Sequence, residues 1–131
     1  MLEKTRKDLV YPDLSYSVMG VLFEVFKELG YGHKEKYYGT AIALGLKEAD
    51  ISFSEQLYSP LLFRGELVGK YFLDFLIEGK IVLEIKKGNR YSSKKQIEQV
   101  FSYLKVNHLK LGILAQFTSE GVKYRRILNL L

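Results

Sequence analysis

Asp74, Glu84 and Lys86 fall in a stretch that reads strand, glycine turn, strand, running from Lys70 through Gly79 to Lys86. Charged residues are depleted in strands, because a pleated, half-buried surface favours branched and aromatic side chains. A carboxylate between Leu73 and Phe75, and Glu84-Ile85-Lys86 closing the apolar run Ile81-Val82-Leu83, therefore need a reason. Two acids and a lysine meeting at one end of a hairpin could hold a divalent cation and activate a water. That chemistry would be metal-dependent cleavage of a phosphodiester.

Glu84 and Lys86 share a strand face, since side chains alternate along a strand, and the turn decides whether Asp74 joins them. A two-residue loop at Gly79-Lys80 would set Asp74 opposite Ile85, on the wrong face. A three-residue loop, Ile77-Glu78-Gly79 with Gly79 left-handed and a bulge, sets Asp74 on the face of Glu84 and Lys86. The second register is the expectation. Carboxylate oxygens of Asp74 and Glu84, with the Ile85 carbonyl, would then suit Mg²⁺ beside waters and phosphate oxygens. Lys86 would orient or deprotonate the water, or neutralise the phosphate.

Elements must be found to carry these groups. With 131 residues, 47% of them hydrophobic and 14% aromatic, the chain reads as one globular domain over 13–131 after a lead-in over 1–12. It has no cysteine, which excludes disulfides and thiolate sites, and its two histidines cannot make a zinc site alone. Oxygen ligands, and so Mg²⁺ or Mn²⁺, are favoured. The polar start Met1–Asp8 lacks the apolar core of a signal peptide and no apolar run would span a bilayer, so no membrane partner and a cytoplasmic location are expected. A net charge of +5 is compatible with nucleic acid without being diagnostic.

Asp13 or Ser15 can cap a helix to about Leu29, with Val18, Leu22, Val25, Phe26 and Leu29 inward, and Gly30-Tyr31-Gly32 stops it. A second helix spans about Lys34 to Glu48, with Tyr38, Ala41, Ile42 and Leu46 inward. Strands follow: Ile51 to Tyr58, a break at Ser59-Pro60, the short Leu61-Leu62-Phe63, then the two strands holding Asp74 and Glu84. Ser92 or Ser93 can cap a third helix to about Asn107. Gly112–Ala115 reads as a buried strand and Tyr124–Leu131 as a last one. A helix joining two strands is a crossover, so the fold class is α/β or α+β with a central mixed sheet flanked by helices.

Asp74, nine residues, then Glu84-Ile85-Lys86 resembles the PD-(D/E)xK nuclease signature, with Leu73 in place of its proline. Gly32-x-x-Glu35-x-x-Tyr38 resembles the GxxExxY family, a small-domain branch of that superfamily. The likeness continues in order through Gly20 and Glu24–Gly30, Glu55-Gln56-Leu57, Tyr71–Asp74, Gln99 with Tyr103-Leu104, and Leu111–Phe117. It implies a restriction-endonuclease-like core, Mg²⁺ or Mn²⁺ as cofactor, and nucleic acid, DNA before RNA, as partner. By resemblance Glu35 is a further acid of the site, and Gln99 and Tyr103 support it from the helix after Lys86. Lys87, Arg90, Lys94 and Lys95 would track phosphates beside it.

Two plainer accounts stand against this. Asp74 and Lys86 could form a buried ion pair. The chain could also be a binding or accessory module that cuts nothing, since it offers little area for selecting a substrate unless it forms a homodimer.

Overall fold

The structure, a computed structural model, describes residues 10–90 and 94–130. The expected Ser92 or Ser93 cap lies outside the described residues. Helix α1, Pro12–Leu29, opens on its proline, whose fixed φ and missing N–H suit the first helical position. The lead-in therefore stops one residue earlier than the sequence suggested. Val18, Met19, Leu22 and Val25 are buried, while Leu29 is exposed. Gly30, at φ 73°, ends the helix. Helix α2, Glu35–Glu48, buries Tyr38, Ile42, Ala43 and Leu46.

Five strands form one mixed sheet in chain order: β1 Phe53–Phe63, β2 Glu66–Ile77, β3 Ile81–Lys87, β4 Leu111–Thr118 and β5 Gly121–Leu128. The pairings β1–β2, β2–β3 and β4–β5 are antiparallel, while β3 and β4 are parallel. Helix α3, Lys94–Val106, makes the crossover between β3 and β4. The expected break at Ser59-Pro60 does not occur: Pro60 pairs opposite Lys70 inside a continuous β1. β1 is an edge strand, where a residue without an N–H is tolerated with its nitrogen turned away from the ladder. The last strand starts at Gly121, ahead of the expected Tyr124.

Helices α1 and α2 cover one face of the sheet through a core that includes Leu22, Tyr38, Phe75, Leu83, Ile113 and Phe117. Helix α3 covers the other face through Leu57, Leu73, Val82, Val100, Leu104, Leu114 and Ile127. Its approach to β4 depends on Gly112, where an added Cβ would sit 2.5 Å from Val100 Cγ1. The architecture is α/β, a mixed sheet with flanking helices. Among the described residues no helix is long and apolar enough to cross a membrane.

Arg126 joins two elements. Its guanidinium donates to Ser15 Oγ at 2.9 Å and to the Val10 carbonyl at 3.0 Å, tying β5 to the start of α1.

Candidate active site

The turn between β2 and β3 sets the parity of the site. Glu78 (φ 53°) and Gly79 (φ 65°) are both left-handed, and the Lys80 N–H closes the turn onto the Ile77 carbonyl at 2.9 Å. Ile77 nonetheless pairs with Ile81, so Lys80 is an extra residue on the β3 side. The three-residue connection is Glu78–Lys80, one residue later than expected from sequence. That shift leaves the parity unchanged, and continuing the register from Phe75–Leu83 sets Asp74 directly across from Glu84.

Beyond that pair the ladder opens, because each acid occupies a backbone donor of the opposite strand. The Asp74 N–H donates to Glu84 Oε1 at 3.0 Å, and the Ile85 N–H donates to Asp74 Oδ2 at 2.7 Å. Two carboxylates thus stand where two carbonyls would be, and β2 and β3 fork there.

The hairpin also turns over at this point. Leu73 and Phe75 are two apart and should share a face, yet Leu73 joins the α3-side core and Phe75 the α1–α2 side. On β1, Phe53 packs on the α1–α2 side and Leu57 on the α3 side. Between Glu55 and Leu57, both still paired with β2, Gln56 holds a left-handed φ of 54°. Asp74 and Gln56 therefore lie where two strands rotate together.

Glu84 is 8% exposed. Burial raises its pKa most, and the Asp74 charge and a hydrogen bond shared with the Asp74 side chain raise it further, to about 8. The bond from the Asp74 N–H and the charge of Lys86 pull the other way without prevailing. Lys86 is partly exposed, and among the described residues the one ion pair is Lys123 with Glu120 on the surface. The buried Asp74–Lys86 ion pair considered from sequence is not formed. The buried charge problem lies instead between two acids, an arrangement a divalent cation relieves. On that chemistry the donor set fits Mg²⁺ or Mn²⁺.

A cleft of about 460 Å³ opens at the fork, lined by Glu35, Lys36, Gly39 and Thr40 of α2, Glu55 and Gln56 of β1, Asp74 and Phe75 of β2, and Ile85 of β3. A larger apolar groove of about 640 Å³ runs between α1 and α2, and none of the expected site residues lines it. Of the expected ligand set, Asp74, Glu84 and Ile85 meet at the fork. Glu35 lies on the α2 side of the cleft, where its Oε2 accepts the Lys87 N–H at 3.0 Å. Among the described residues no three acidic, histidine or cysteine side chains form one metal-holding group.

Gln99 and Tyr103 lie on α3, away from the cleft lining. Tyr103 packs against the α3-side core, and burial raises its pKa. Among the described residues, neither bonds to Asp74, Glu84 or Lys86. Lys87, Arg90, Lys94 and Lys95 are exposed around the end of β3 and the start of α3. Gln116 holds the loop between them, donating to the carbonyls of Gly88 and Arg90.

Tyr38 is fully buried, lies 4.3 Å (ring centroids) from Phe117, and donates its hydroxyl to the Gly30 carbonyl at 2.6 Å. It anchors the bend that presents Glu35, three residues earlier on α2. Tyr38→Phe is expected to lower stability by about 1–2 kcal/mol, because the Gly30 carbonyl loses its donor; urea denaturation measures it, and an unchanged midpoint would refute the anchoring role.

Sequence reasoning had not placed Glu55 in the cleft, and had met Gln56 only through the family likeness. The signal was there: three adjacent polar residues, Ser54, Glu55 and Gln56, interrupt the apolar alternation of β1.

A model of the PD-(D/E)XK nuclease superfamily matches residues 12–127 of the sequence. No match was found among curated proteins. Among solved structures, one titled "Crystal structure of SSO0001" is similar with a TM-score of 0.46 and 17% identity, over 92% of this chain and 79% of that one.

Proposed function

The chain belongs to the PD-(D/E)XK nuclease superfamily, and on that premise we propose that it is a Mg²⁺- or Mn²⁺-dependent phosphodiesterase acting on nucleic acid, DNA before RNA. The observation that carries this reading is the reciprocal bonding at the fork: the two signature acids cap each other's strand and press their charges together. Within the superfamily we assign it to the GxxExxY branch on Gly32, Glu35 and Tyr38, and we expect it to work in the cytoplasm.

In this reading Asp74 and Glu84 hold the cation through carboxylate oxygens. Ile85 adds its carbonyl, which leaves an extended strand by the same edge as its N–H and so faces the fork. Glu35 reaches the cation or its hydration shell from α2. A bound divalent cation supplies a Lewis acid that favours ionised water and offsets charge on the phosphorane. Lys86 donates from Nζ to the attacking water or to a phosphate oxygen, holding it in line. Gln99 and Tyr103 support the site from α3. Lys87, Arg90, Lys94 and Lys95 hold flanking phosphates without reading bases.

Cleavage of labelled single-stranded, duplex and branched oligonucleotides with Mg²⁺ or Mn²⁺ tests the proposal. Product that disappears with chelator is expected, and no product from any substrate would overturn it. A second reading, a non-cleaving accessory module, draws on the absence of a three-acid group among the described residues. It requires metal-independent nucleic-acid binding with no turnover. A homodimer, which sedimentation would detect, would supply the area for substrate selection that one copy lacks.

A further inference from the structure

Gln56 is the point of greatest backbone tension near the cleft. A side chain beyond glycine at φ 54° is unusual anywhere and more so inside a strand whose neighbours on both sides keep their ladder pairs. Its register sets it across β1–β2 from Asp74, and its exposed side chain lines the cleft beside Glu35, Asp74 and Ile85. Strained residues persist where the surroundings over-determine them, and they concentrate at sites that do chemistry. The turn-over of the hairpin explains the left-handed backbone, but glycine would serve that purpose better. What glycine lacks is a side chain. The cleft lining holds three acids, Glu35, Glu55 and Asp74, against one lysine, Lys36, which comes from the α2 side. A phosphate entering this acidic pocket needs a hydrogen-bond donor on the β1 side, and a neutral amide donates there without competing for the cation.

We propose that Gln56 is a catalytic residue whose side-chain amide donates to a non-bridging oxygen of the scissile phosphate. This rests on the phosphodiesterase reading, and it assigns β1 a direct contact with substrate. Gln56→Gly, Gln56→Asn and Gln56→Glu test it through three readouts: the thermal midpoint, the affinity of a fluorescent single-stranded or duplex oligonucleotide in EDTA, and the cleavage rate with Mn²⁺. Gln56→Gly should melt a few degrees higher, because glycine accepts the left-handed backbone. It should also bind several-fold more weakly and cut roughly 10–100-fold more slowly, the loss expected for one hydrogen bond to a charged group. Gln56→Asn should recover part of both losses, since asparagine tolerates this backbone and keeps an amide. Gln56→Glu should bind worse than the glycine variant, because a carboxylate repels the phosphate.

A glycine variant that melts higher yet binds and cuts like wild type would overturn the proposal and leave Gln56 as a hinge of the hairpin. Wild-type protein that binds but never cuts would overturn the hydrolytic reading, and the binding arm would still decide Gln56. Wild-type protein that neither binds nor cuts would overturn both.

Discussion

Lys86→Ala is expected to lower cleavage by about 10²–10⁴-fold, the range typical of a positioned side chain that handles a proton or orients a water in the transition state. Its melting temperature should change little, because Lys86 is partly exposed and forms no ion pair among the described residues. Asp74→Asn should fall at least as far. It keeps an oxygen for the Ile85 N–H, now accepted by Asp74 Oδ2 at 2.7 Å, so the strand contact survives while the charge that holds a cation is lost. Rates from initial velocities, beside a circular-dichroism melt of each variant, separate chemistry from folding. Activity that persists in the doubly substituted protein would end the assignment of these residues to hydrolysis.

The second large effect concerns Glu84 and has the opposite sign for stability. Its pKa rises from 4.5 to about 8 on folding, through burial first and the Asp74 charge next. A raised carboxyl pKa means the folded state prefers the protonated form. That preference costs nothing below pH 4.5, where both states are protonated, and it weakens the fold progressively as pH rises to about 8. Above that window the metal-free protein carries the full penalty of an ionised, buried acid beside another, on the order of a few kcal/mol. Glu84→Gln removes the titration, so the metal-free variant should melt higher than wild type at pH 8 to 9 and nearly alike at pH 4, while cutting nothing. Mg²⁺ should raise the wild-type midpoint at alkaline pH and leave the variant's unmoved, because a ligand stabilises only the state that binds it. Parallel melts of the two proteins across this range check all three statements. A variant less stable than wild type at pH 9 would show that the acid pair stabilises the fold and has no charge for a cation to relieve.

Together the two experiments separate roles that a single loss of activity would merge. On the proposed reading Lys86 would act on the reaction and leave the fold indifferent, while Glu84 would be held at the fold's expense. A protein that holds Glu84 on the Asp74 N–H and Asp74 on the Ile85 N–H at 3.0 Å or less, with Glu84 buried, would accept lower stability when no cation is bound. That trade is common where burial and like charge are arranged for function.

Much of this was legible along the chain. Helical spacing places Val18, Leu22 and Val25, and Tyr38, Ile42 and Leu46, on buried faces, because a period of 3.6 residues needs no tertiary information to be read. Asp74, Glu84 and Lys86 were conspicuous for a similar reason: charges inside apolar strands violate a local preference, and such violations mark sites. The family model then covers the span on which those elements lie.

Other features belong to the tertiary structure alone. Pro60 reads locally as a break, and only its place on an edge strand makes it harmless. Arg126 reads as a surface charge until α1 packs across β5 and supplies Ser15 and the Val10 carbonyl. Glu35 and Asp74 share a cleft only because α2 lies over the fork. The reversal at Gln56 and Asp74 lay beyond sequence reasoning because alternation assumes one uninterrupted strand geometry. A single left-handed residue resets the faces of everything after it, and nothing in the one-dimensional order of side chains records a backbone angle.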